Sequence, residues 1–128
     1  MMGRQLLFHI DDDEDDRRFF RDATQDDVSV TVMSFESFQD ALDAIRTLRP
    51  HRIYFDFWVP GMTATQFLRV LSDEIDLSGI YLHLLSGTEV PPFFGELLDR
   101  YGVSYHLKPN SISDLRELLR STYGEEAL

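Results

Sequence analysis

Five short apolar runs, each bounded by turn residues, alternate along this chain with segments of helical apolar period. That alternation argues for βα units and a parallel sheet. The runs read as strands at Gln5 to Ile10, Val28 to Ser34, Arg52 to Phe57, Ile80 to Leu85 and Ser104 to Leu107. Helices fall between them and after the last, which makes a small, doubly wound α/β domain of five strands and five helices.

The helical faces can be written out. A first helix from about Glu14 to Ala23 buries Phe19, Phe20 and Ala23. A second starts at a Ser37 cap, carries Phe38, Ala41, Leu42, Ile45 and Leu48 on one stripe, and ends at Pro50. The third, from about Thr65 to Leu71, turns Phe67, Leu68 and Leu71 inward, and the acid-rich DEIDLSG after it is a loop. A fourth follows Pro91 and Pro92, because proline is tolerated only in a first turn, with a stripe of Phe94, Leu97, Leu98 and Tyr101. The last, from Ser111 to Tyr123, carries Ile112, Leu115, Leu118 and Leu119, and the terminal GEEAL is expected to fray.

A chain of 128 residues is the size of one domain, expected to span 1–128. Twelve Lys and Arg against twenty-three Asp and Glu give a formal net charge of -11. That field repels phosphate backbones, which argues against direct nucleic-acid binding. With no cysteine, disulfides, thiolate metal sites and cysteine nucleophiles are excluded. The apolar stretch LLFHI stops at a block of acids after five residues, too short for a signal-peptide core or a membrane span, so a soluble cytoplasmic protein is the default expectation.

Where the strands end is more informative than what they contain. Asp11 and Asp12 end the first run, Asp56 ends the third, Ser86 the fourth, and Lys108 with Pro109 the fifth. Open α/β sheets place their chemistry at the C-terminal strand edge, so acids, a hydroxyl and an ammonium are expected in one pocket. Each has a plainer reading. The block DDDEDD suits a solvated helix start, and Asp13 to Asp16 are expected to face water. Asp56 precedes the VPGM turn and could cap it. Like charges crowded at Asp11 and Asp12, however, require a cation, and a hard divalent ion such as magnesium fits oxygen donors. A calcium loop is disfavoured because Asp16 stands where that loop needs glycine. His9, His51, His83 and His106 lack ligand spacing, and three of them lie inside strands, as structural histidines do.

HIDDDEDDRR, DFWVPGM, LLSG and YHLKP, in this order and at these strand ends, resemble the receiver domain of two-component response regulators over nearly the whole chain. The resemblance implies a flavodoxin-like sheet of order 2-1-3-4-5. It further implies that Asp56 accepts a phosphoryl group from a sensor histidine kinase or histidine phosphotransfer protein. Asp12, Asp56 and the backbone carbonyl of Trp58 would bind magnesium, or manganese in its place, with Asp11 acting through a water. Lys108 would neutralise the transferring group, Ser86 would bind it, and Ser86 with Tyr105 would form the switch. Three departures stand out: Thr63 and Ala64 where Asp-Gly is usual, a bulky Trp58, and the stiff pair Pro91 and Pro92.

From the same residues, Trp58 and Thr88 are expected to tune the lifetime of the phosphorylated state, and Phe93 to belong to a protein-binding face. The module would have no output domain, catalyse only its own phosphorylation and dephosphorylation, and exist as a monomer or a weak phosphorylation-dependent dimer. Two alternatives come from other classes. A haloacid-dehalogenase-like phosphatase would use Asp11-x-Asp13, although Asp15 replaces its usual Thr or Val and no room is left for a cap. A pseudo-receiver scaffold usually lacks the acceptor or the acid pair, and both are present.

Overall fold

A computed structural model of the chain describes residues 4–123. The elements run β1 (Gln5–Ile10), α1 (Glu14–Thr24), β2 (Val30–Phe35), α2 (Phe38–Ile45), β3 (Arg52–Phe55), α3 (Ala64–Glu74), β4 (Tyr81–Ser86), α4 (Phe94–Tyr101), β5 (Val103–Leu107) and α5 (Ile112–Tyr123). All strand pairs are parallel, in the order β2-β1-β3-β4-β5 that the resemblance implied.

The pleat sorts side chains onto two faces. Phe8, Ile10, Ile53, Phe55, Leu82 and Leu84 pack with the apolar stripes of α2, α3 and α4. Leu7, Tyr54 and Leu85 alternate with them and pack against Phe20 and Ala23 of α1 and Leu115, Leu119 and Tyr123 of α5. Burying each such side chain contributes about 1.5–3 kcal/mol, so the two clusters hold the sheet between its helices.

The same second face also carries polar side chains. Arg52 and His83 are buried, and Arg52 Nη1 lies 3.0 Å from His83 Nε2. A guanidinium can only donate, so that nitrogen accepts, and His83 Nδ1–H donates to His106 Nε2 at 3.3 Å. His83 also stacks on Tyr54, and His9 on Phe20. His51 accepts the Leu6 N–H through Nδ1 at 2.8 Å. All four histidines are thus engaged in ring packing, side-chain or main-chain contacts within the fold.

Several boundaries move for identifiable reasons. β2 begins at Val30, because Asp27 bonds the Ser29 amide and hydroxyl in a turn that leaves Val28 79% exposed. β3 ends at Phe55, short of Phe57. α3 starts earlier and runs further than expected. Thr63 Oγ1 accepts the Gln66 N–H while Gln66 Oε1 accepts the Thr63 N–H, a reciprocal cap built from the residue that departs from the family pattern. At its other end Asp73 and Glu74 remain helical, and Leu77–Gly79 is a 3₁₀ turn capped by Asp76, so DEIDLSG is not one loop. Leu48 and Ile112 lie at the exposed margins of their stripes. Pro91 and Pro92 precede α4, their carbonyls accepting the first N–H groups from Phe94 and Gly95. The terminal GEEAL lies outside the described residues.

Candidate functional site

Main-chain bonds carry the sheet one residue past three of its strands and so fix the side chains at its edge. The Asp11 N–H donates to Phe35 O at 3.0 Å, Asp56 N–H to Ile10 O at 3.1 Å, and Lys108 N–H to Ser86 O at 2.9 Å. Asp11, Asp56, Ser86 and Lys108 are consequently held at one edge by backbone geometry before any side-chain contact is counted.

Lys108 Nζ is the centre of the cluster. It donates to Asp11 Oδ2 at 2.8 Å, Asp16 Oδ2 at 2.8 Å and Asp56 Oδ2 at 2.9 Å. The second oxygens face the main chain: Asp11 Oδ1 accepts the Asp13 N–H at 3.1 Å, and Asp56 Oδ1 the Trp58 N–H at a long 3.4 Å. Arg17 Nη1 donates to the Asp11 carbonyl at 2.8 Å, tying the first turn of α1 to the end of β1.

Burial sets the electrostatics. Asp11 is 1% exposed, and that burial lifts its carboxyl to about 6, against the opposing pull of the Lys108 hydrogen bond. For Lys108 burial works the other way, but its three carboxylate partners outweigh it and hold the ammonium above the ordinary lysine range. Three carboxylates against one ammonium leave the cluster negative. Ligand oxygens of Asp11, Asp16 and Asp56 lie within 4.8 Å of one another, an all-oxygen set that suits a hard divalent cation.

Asp12 is exposed at the rim, outside this cluster, whereas Asp16, expected to face water, is inside it. The remainder of the acidic block does face solvent, and Asp13 caps α1 through the N–H groups of Asp15 and Asp16. Ser86 is fully buried. Its hydroxyl donates to Thr88 O at 2.6 Å, and the Tyr105 hydroxyl reaches the same oxygen at 3.5 Å. Trp58 is 57% exposed, with its ring edge against Phe57. With Phe93, itself 64% exposed, it lines an open apolar groove of about 820 Å³ between the β3–α3 turn and the start of α4.

As a sequence the chain matches no family model and no curated protein. Solved structures do match. The chemotaxis response regulator CheY4 of Vibrio cholerae superimposes with a TM-score of 0.78 over 93% of this chain and 98% of its own, at 19% identity. The fold is that of a response-regulator receiver domain. The phosphorylated cyanobacterial phytochrome response regulator RcpA gives a TM-score of 0.78 at 19% identity, covering 94% of this chain and 91% of that one. A receiver domain protein from Methanospirillum hungatei gives 0.73 at 24% identity, with 88% of each chain covered. Strand order and helix placement in this receiver fold agree with the doubly wound architecture described above. Among the described residues no helix is long and apolar enough to cross a membrane.

Proposed function

We propose that this protein is a phosphorelay signalling module in which Asp56 accepts a phosphoryl group from the histidine of a kinase or phosphotransfer protein. The observation that carries the reading is the Lys108 ammonium 2.9 Å from Asp56 Oδ2 at the C-terminal edge of the sheet, with Ser86 at the end of the neighbouring strand. In the transfer an Asp56 carboxylate oxygen forms a bond to phosphorus, the phosphorus–nitrogen bond of the donor imidazole breaks, and the nitrogen keeps the electron pair. Charge on the moving group is the main obstacle, so positioned cations supply most of the help. Lys108 is one such cation.

A magnesium ion would supply the other, by neutralising phosphoryl oxygens. Asp11 and Asp56 are the gathered carboxylates suited to hold it, with Asp12 reaching in from the rim and the Trp58 carbonyl as a further oxygen donor. Ser86 would exchange the Thr88 carbonyl for a phosphoryl oxygen, and release of that carbonyl would alter the hold on Tyr105. The readout face would be α4, β5 and α5, with exposed Phe93 as an anchor for a downstream protein. The domain assists its own phosphorylation and dephosphorylation and turns over no separate substrate. Its formal charge of -11 supports protein rather than nucleic-acid partners.

Incubation with acetyl phosphate, followed by mass spectrometry of peptides, tests the assignment. The expected result is one magnesium-dependent adduct on Asp56, lost in Asp56→Asn. Equal labelling of Asp56→Asn, or labelling in excess chelator, would overturn it.

A further inference from the structure

We infer that Asp16 is a releasable counter-charge for Lys108, one that restrains the ammonium and gives way when a phosphoryl group reaches Asp56. This rests on the reading of Asp56 as phosphoacceptor. An ammonium has three N–H donors. In this protein all three are directed at carboxylates, those of Asp11, Asp16 and Asp56, at 2.8, 2.8 and 2.9 Å. Lys108 therefore has no donor to spare for an incoming phosphoryl oxygen, and one of the three bonds must be surrendered.

Burial decides which. The Asp11 side chain is 1% exposed, so losing Lys108 would strand a carboxylate away from water. Phosphorylation of one Asp56 oxygen leaves the other as a carbonyl acceptor, so Asp56 can stay bonded to the ammonium while a phosphoryl oxygen arrives. Asp16 is 41% exposed and can be rehydrated at small cost. It also sits in the first turn of α1, where the unpaired amides favour a carboxylate whether or not Lys108 is bound to it. Its aim at Lys108 follows from the helix: Asp16, Phe20 and Ala23 share one face, and the latter two are buried beneath it. Asp16 thus acts as a positioning residue that competes with the phosphoryl group for the lysine, and removing its charge should make phosphoryl-like ligands bind more tightly. A role for Asp16 as a metal ligand predicts the opposite sign.

The test is a beryllofluoride titration followed by ¹⁹F NMR, in saturating magnesium, on wild type, Asp16→Asn, Asp16→Ser and Asp16→Glu. We expect each neutral variant to bind about threefold more tightly, the scale of a half-exposed ion pair, and Asp16→Glu to return towards wild type. Magnesium affinity, read separately from the metal-induced shift in melting temperature, separates this role from metal ligation, in which magnesium binding would fall with the lost carboxylate. Wild-type affinity in both neutral variants, or weaker binding together with weakened magnesium affinity, would overturn the inference while leaving Asp56 as acceptor. Absence of an adduct in every protein, wild type included, would overturn the phosphoacceptor reading and this inference with it.

Discussion

The Ser86 hydroxyl donates to the Thr88 carbonyl at 2.6 Å, and the Thr88 N–H returns to Ser86 Oγ at 3.3 Å, closing the β4–α4 loop onto the sheet edge. The Tyr105 hydroxyl reaches the same carbonyl, so a ligand that took the Ser86 hydroxyl would change what holds Tyr105. Ser86→Ala should lower stability by about 1 kcal/mol, the usual net value of such a bond. Beryllofluoride should then no longer shift the Tyr105 ring resonances. Persistence of the full Tyr105 shift in Ser86→Ala would exclude this coupling.

Asp11 makes a second prediction, with a definite sign. Burial raises its carboxyl from 3.8 to about 6, so the folded state holds this proton more tightly than the unfolded state. The resulting stability is fully present below the unfolded value and is lost as pH rises through about 6. Asp11→Asn should therefore be more stable than wild type at neutral pH, by roughly 1–3 kcal/mol, with the gain shrinking as pH falls from 6 towards 4. Urea denaturation across that range would read it, and a variant less stable at neutral pH would refute the argument.

His83 has the opposite sign. Burial, with the nearby Arg52 charge, lowers its imidazole from 6.5 to about 3, so it stays neutral in the folded protein and gains a proton on unfolding. Its contribution is present above 6.5 and declines as pH falls towards 3. His83→Gln, which keeps an acceptor for Arg52, should lose less stability than wild type between pH 6.5 and 4, measured by the same denaturation series.

Magnesium should raise the melting temperature, because an ion that binds only the folded state stabilises it by about 2.7 kcal/mol at a hundredfold excess over its dissociation constant. Asp12→Asn should blunt that gain although Asp12 is exposed at the rim. A melting temperature indifferent to millimolar magnesium would count against the metal site, and an undiminished gain in Asp12→Asn would leave the metal to Asp11 and Asp56.

Trp58 is exposed beside Asp56, and an indole over the acyl phosphate would keep the in-line water away. Trp58→Asn is expected to speed phosphate release from the purified phosphoprotein while leaving its melting temperature nearly unchanged. An unchanged or slower rate would assign the ring to the groove it shares with Phe93 instead. As the sole tryptophan, Trp58 should also report magnesium by fluorescence.

Strand and helix identity was legible in the sequence because period and turn chemistry are local properties: the stripe of α2, the proline pair before α4 and the apolar runs of the sheet each announce themselves within a dozen residues. Convergence of Asp11, Asp56, Ser86 and Lys108 was also readable, since a parallel sheet must deliver its strand ends to one edge. Which acid meets Lys108 was a different matter. Asp12 and Asp16 stand in the same acidic block, yet Asp12 is exposed and Asp16 bonds to the ammonium. Helical spacing from Phe20 back to Asp16 held that signal, but a run of charges is read as solvated until something on another element is known to wait beneath it. Lys108 lies 92 residues further along the chain, and only the docking of β5 beside β4 and of α1 against the sheet brings the two within 2.8 Å. Local order follows from the amino-acid sequence one segment at a time. Partner choice among like charges depends on long-range packing, which fixes distance and burial together.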